Sequence, residues 1–192
     1  MILPIYLYGH SVLTTPAIAV DPTDPTLPGL IEDMFETMYA ASGVGLAAPQ
    51  IGRGIKLFVM DAAGFDPERL AAEKRVFVNP RILQEEGEPW AFNEGCLSIP
   101  EVSGNVLRKP RIRVEYSDLE GKRHEQWFDE MPARIIQHEY DHLLGKLFVG
   151  YFSPLRRQMV QKRLESIKMG NTKADYPVLA PPLPTAKVKR RG

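Results

Sequence analysis

Ala133-Arg134-Ile135-Ile136-Gln137-His138-Glu139-Tyr140-Asp141-His142-Leu143-Leu144 has the apolar spacing of a helix, with no proline inside it and Gly145 placed as a C-cap. Positions four apart on a helix share a face one turn apart, so His138 and His142 can grip one metal ion. Glu139, beside them, is within reach of water on such an ion. The pentapeptide alone also admits the lesser reading of two solvent-facing histidines on a charged helix, because H-E-x-x-H occurs by chance.

Two imidazoles make an incomplete site, since a catalytic divalent ion takes three protein ligands and keeps one position open. One metalloprotease class would place a third histidine six residues on, after a glycine. Gly145 is there, but the ligand position is Phe148, which cannot ligate. Glu165 is a nominal alternative, though its surroundings, from Arg156 and Arg157 to Lys168, suit a solvated partner of a basic side chain. Cys96, in Asn93-Glu94-Gly95-Cys96-Leu97-Ser98-Ile99-Pro100, is the remaining soft ligand. It reads either as a small buried hydrophobe or, with Gly95 allowing close approach of backbone, as part of a site. A third segment, Gly43-Val44-Gly45-Leu46-Ala47-Ala48-Pro49-Gln50-Ile51-Gly52, offers small residues and one amide donor, Gln50. It is no phosphate loop, since no Lys-Ser or Lys-Thr follows the glycines. A helix cap and tight turn would explain it as well.

The rest of the chain places these segments. Leu30, Ile31, Met34, Phe35, Met38 and Tyr39 form a helical stripe that ends at Ser42-Gly43. Short β-rich runs are expected at 55–60 and 75–78, and 111–116 alternates with Ile112, Val114 and Tyr116 on one face. The turn at 118–122 then predicts a hairpin with 124–128. A last helix spans 154–169. Helices and strands without regular βαβ alternation give the α+β class: short antiparallel or mixed sheets around the central metal-binding helix, with a C-terminal helix. The domain is expected to cover 1–170. Residues 171–192, with Pro177, Pro181, Pro182, Pro184 and a basic run at 187–191, read as an extended tail.

With 24 basic and 24 acidic residues the chain has no net charge, which gives no global footprint for DNA or other nucleic acid. One cysteine permits no internal disulfide, and no apolar run approaches the ~20 residues needed to span a bilayer. The N-terminus lacks a secretory pattern, so the cytoplasm is the expected compartment and no membrane partner is expected.

Together, Gly43-Val44-Gly45-Leu46-Ala47-Ala48-Pro49-Gln50, Glu94-Gly95-Cys96-Leu97-Ser98 and His138-Glu139-Tyr140-Asp141-His142 resemble the three motifs of the peptide deformylases in order and separation. The resemblance runs from Pro4 to about Met169. It implies a hydrolase that removes the formyl group from N-formylmethionyl nascent peptides and releases formate. Cys96, His138 and His142 would hold one divalent metal ion, Fe2+ in the working enzyme, with Zn2+, Ni2+ or Co2+ able to take its place. Glu139 would be the general base, and Gln50 with the Leu97 N–H would stabilise charge on the formyl oxygen. Val44, Gly45 and Gly95 would pair with the peptide backbone. Phe92, Met131, Arg134, Ile135 and His138 would surround the methionine side chain, the Arg134 stem lining the wall while its head reaches solvent. Glu94, Arg108 and Asp141 would support the ligands, with Asp141 paired to Arg108 or else an ordinary surface acid. Val102-Ser103-Gly104-Asn105 lacks the substrate-facing arginine that relatives can carry there. The last helix carries Arg156, Arg157, Lys162, Arg163 and Lys168 against Glu165 alone, a face that suits ribosomal RNA or simply solvent.

Overall fold

The helical stripe begun at Leu30 is realised as α1 (Leu27–Ala40), entered three residues earlier through Leu27-Pro28 and burying Ile31, Met34 and Met38. Proline is tolerated in a first turn because that N–H has no intrahelical partner. The structure is a computed structural model and describes residues 1–182.

Five antiparallel strands form the main sheet in the order β2 (Gly45–Ala47), β3 (Leu57–Asp61), β4 (Lys74–Glu86), β7 (Arg111–Ser117) and β8 (Arg123–Asp129). The hairpin expected from the 118–122 turn is β7–β8, paired without a break from Arg111↔Asp129 to Ser117↔Arg123. The Asp118 carboxylate accepts from the N–H groups of Glu120 and Lys122, and Gly121 takes a φ of 77°. The strand expected over 75–78 runs on to Glu86. Asn79-Pro80, read as its end, becomes an irregularity at which Asn79 adopts a φ of 50° and its amide bonds both the N–H and the C=O of Val20.

β3 explains where the core lies. Phe58 and Met60 point to one cluster, and Leu57 and Val59 to another, so the strand is apolar on both faces. On the first face, Ala133, Ile136 and Leu143 of α2 (Glu130–Leu143) pack against Phe58, Phe77, Ile112 and Val114. On the second, α1 covers the sheet. The central helix is therefore laid across a sheet face, and its opposite side is free to carry polar residues. A separate hairpin, β5 (Trp90–Gly95) with β6 (Ser103–Arg108), brings the Cys96 segment over that side.

The last helix, α3 (Pro154–Lys168), is capped by the Ser153 hydroxyl and packs through Val160, Leu164 and Ile167. Part of its basic character is taken up internally: Arg156 donates to the Ser103 carbonyl, Arg157 to that of Phe152, and Arg163 pairs with Glu101. Beyond Gly170 the chain, read as an extended tail, runs back along the body. β9 (Val178–Leu179) pairs in parallel with β1 (Ile5–Tyr6), with Ile5 N–H to the Pro177 carbonyl and Leu7 N–H to that of Leu179, both at 2.9 Å. The basic run at 187–191 lies outside the described residues. Among the described residues no helix is long and apolar enough to cross a membrane.

Candidate metal centre

α2 sets His138 and His142 one turn apart, their ring centroids 5.2 Å from each other and nearly perpendicular. Cys96 follows directly on the end of β5, and its Sγ lies 3.3 Å from His142 Nε2. One ligand atom from each of Cys96, His138 and His142 falls within 4.8 Å of the others. The lone cysteine, ambiguous in sequence, thus sits where a third donor is needed. Phe148 is buried with its ring 5.9 Å from that of His138, a wall and not a ligand. Glu165 faces solvent on α3 and accepts from Gln161.

The donor set suits a divalent cation. His138 Nδ1 is engaged by Glu94 Oε2 at 3.0 Å, which directs the other ring nitrogen to the cluster, as outer partners of metal-bound histidines do. Burial opposes a proton on His138, but the bonds to Cys96 and Glu94 outweigh it and raise the ring to about 10; a bound cation would displace that proton, since only the neutral ring ligates. Burial, aided by the charges of His138 and Arg108, holds His142 well below its ordinary value, in the neutral form that ligates.

Glu94 is the hub behind the cluster. Arg108 reaches it through Nε at 2.7 Å and a second nitrogen at 3.0 Å, a bidentate pair. Arg108 also donates to Asp141 Oδ2 at 2.8 Å, and Tyr151 donates to Asp141 Oδ1 at 3.0 Å. Asp141 is therefore a buried partner of Arg108 and not a surface acid. Burial works against ionised Glu94, yet His138 and Arg108 overcome it and hold the carboxyl down to about 2.

Arg134 corrects an expectation. Its head does not reach solvent: the residue is 2% exposed, and its guanidinium donates to Glu94 Oε1 at 2.6 Å and to the Trp90 and Val106 carbonyls. The Trp90 ring lies over it at 4.1 Å. A buried carboxylate already facing His138 and Arg108 draws in the second guanidinium, whose desolvation, the largest influence on it, is offset only in part by charge and three acceptors.

Beside the cluster, Glu139 is 4% exposed and its Oε2 is buried with no hydrogen-bond partner among the described residues. Burial pushes its carboxyl up to about 7, against the pull of His138 and Arg108. Gly45 makes the room: a Cβ there would lie 2.3 Å from Glu139 Oε1. Gln50 Oε1 accepts from the Ala47 N–H at 2.8 Å, which fixes the amide so that Nε2 faces Cys96 Sγ at 3.5 Å and Ser98 Oγ at 3.3 Å. The Leu97 N–H donates to no other group among the described residues. Glu139, Gly45, Gln50, Cys96, Leu97 and His138 border one cavity of about 860 Å³, together with Val44, Phe92, Gly95, Met131, Arg134 and Ile135. Arg108 and Asp141 lie outside its lining, and Arg108 is tied to it through Glu94.

Two features were not expected: Ser98 as a partner of Gln50, and the stretch Lys173, Ala174, Asp175 and Tyr176, which closes part of the same cavity. That stretch lies in the region read as a tail, and no local pattern marks it.

Comparison with known proteins places the chain in a family. The sequence model of the polypeptide deformylases matches residues 2–158. A peptide deformylase of Flavobacterium johnsoniae is 47% identical over 185 residues, covering 92% of this chain and 94% of that protein. One from Chlorobaculum parvum is 43% identical over 189 residues, covering 98% of this chain and all of that protein. A crystal structure of a peptide deformylase from Legionella pneumophila, 40% identical, superposes with a TM-score of 0.79 over 90% of this chain and 99% of that one. The chain belongs to the polypeptide deformylase family, metal-dependent enzymes that deformylate newly made peptides.

Proposed function

We propose that this chain removes the formyl group from N-terminal formylmethionine through the cavity above, with Cys96, His138 and His142 holding a divalent ion that is ferrous iron in the working enzyme. The observation that carries the reading is the cluster of one sulfur and two ring nitrogens beside the unpartnered carboxylate oxygen of Glu139. A divalent ion held there supplies a Lewis acid and lowers the pKa of water to ~7. Glu139 takes a proton from the attacking water and returns it to the departing amine, a role suited to a carboxyl poised near neutrality. Charge developing on the formyl oxygen faces the Gln50 amide and the Leu97 N–H, and loss of one such donor typically costs about 3 kcal/mol of barrier. The peptide backbone lies along Val44, Gly45 and Gly95 as an added strand would. The methionine side chain enters between Phe92, Met131, Ile135 and the Arg134 flank. Glu94, with Arg108 and Asp141 behind it, holds His138 in its ligating orientation. Sulfur and imidazole donors accept iron, nickel, cobalt and zinc alike, so the choice of iron rests on the family and predicts activity that fades in air.

The test is product analysis without oxygen. The purified chain should release formate from formyl-Met-Ala-Ser and leave Met-Ala-Ser whole by mass spectrometry. Chelation should stop the reaction and ferrous iron restore it. Cleavage at the Met–Ala bond with the formyl group retained would instead indicate a peptidase.

A further inference from the structure

The segment 96–98 carries one of the clustered donors and the Leu97 N–H, which has no partner among the described residues, and each of its three carbonyls is held by a different part of the chain. The Cys96 carbonyl accepts from the Ile99 N–H at 2.9 Å, within its own turn. The Ser98 carbonyl accepts from the Tyr8 N–H at 2.8 Å, just beyond β1. The Leu97 carbonyl accepts from the Tyr176 hydroxyl at 2.8 Å, from the C-terminal return segment. Tyr8 and Tyr176 are not independent, because the β1–β9 pairing joins their two segments through Ile5↔Val178 and Tyr6↔Leu179. The return segment is fastened again upstream, where the Lys173 N–H donates to Glu101 Oε2 at 3.1 Å, and Glu101 is paired with Arg163 of α3. Burial raises the Tyr176 phenol above its ordinary value, with Cys96 and Asp175 adding to it, so the hydroxyl stays protonated and donates.

We propose that Tyr176 is a positioning residue of the deformylase site: by holding the Leu97 carbonyl it fixes the aim of the Leu97 N–H at the formyl oxygen, and the return segment is working wall and not tail. The Cys96–Leu97 and Leu97–Ser98 peptide planes share the Leu97 Cα, so loosening the carbonyl of one lets the N–H of the other swing. A donor aimed at charge that appears only in the transition state affects turnover more than ground-state binding. The inference rests on the deformylase reading, with Leu97 as one of its donors.

The test is Tyr176→Phe in the full chain, which keeps the ring and removes only the hydroxyl. With the metal content matched to wild type, kcat on formyl-Met-Ala-Ser should fall about tenfold while KM stays within about twofold, as expected for a group slightly misaimed. Amide hydrogen exchange at residues 97–99, measured on the metal-free protein as well, should quicken without a general loss of protection. Unchanged kcat with unchanged exchange would overturn the proposal. So would a parallel shift of kcat and KM with a lowered melting temperature, the mark of a merely structural residue. A fully loaded wild-type chain that releases no formate would sink the deformylase reading instead. The exchange at 97–99 would then still decide whether Tyr176 holds the segment.

Discussion

Glu139→Gln is expected to lower kcat/KM for formyl-Met-Ala-Ser by about 10²- to 10⁴-fold, the range found when a positioned general base is removed, while the metal content stays that of wild type. The amide has the shape of the carboxylate, so it fits the space left by Gly45 and keeps the donor cluster intact. What it lacks is a site to take the proton. The stability sign points the opposite way. A carboxyl whose pKa rises on folding, here to about 7 from an ordinary 4.5, weakens the fold above the lower of these values because its ionised form is buried. Replacing it with a neutral amide removes that penalty, so the metal-free variant should melt no lower than wild type at pH 7.5. Steady-state kinetics, elemental analysis and thermal melts on one preparation check all three points. Activity within a fewfold of wild type would remove Glu139 from its role.

Glu94→Ala is expected to be the most destabilising single change near the site, at about 3–5 kcal/mol, the usual cost of leaving a buried charge without its partner. Glu94 faces Arg108, Arg134 and His138 at once, and both arginines are buried. Arg108 would keep Asp141, but Arg134 would lose its only carboxylate among the described residues. His138 would also lose the acceptor that orients it, which lowers metal affinity by about 10- to 100-fold in comparable sites. Urea unfolding should show the midpoint falling with the slope unchanged. Adding Arg134→Met to Glu94→Ala should return part of the loss, since the stranded charge is then gone. A Glu94→Ala variant as stable as wild type would mean that the hub is decorative.

The features legible in sequence were those with a short period or a local chemical reason. The helix bearing His138 and His142 shows apolar residues at helical spacing, and that spacing is what lays Ala133, Ile136 and Leu143 on the sheet. The β7–β8 hairpin announced itself by alternation and an Asp-x-x-Gly turn. Three separated motifs pointed to one site, and their side chains do border one cavity. What stayed hidden depends on partners far along the chain. Arg134 looked like a snorkelling residue because Glu94, which draws it inward, lies forty residues away in sequence. For Asp141 the pairing with Arg108 was one of two readings from sequence, and what was hidden is that Arg108 bridges it to Glu94. The return of the chain after Gly170 rests on two parallel backbone pairs between the ends of the chain, and prolines that suit an extended path suit that pairing equally. Such pairing uses main-chain groups, so side-chain patterns carry no trace of it.

The most direct test of the metal centre is the absorption spectrum of the metal-free protein titrated with cobalt(II). The geometry predicts saturation at one ion per chain, with strong ligand-field bands of a four-coordinate ion and a sulfur-to-cobalt charge-transfer band that Cys96→Asp abolishes. A weak spectrum without the sulfur band, or a sulfur band that survives Cys96→Asp, would contradict the assignment of Cys96, His138 and His142 as its ligands.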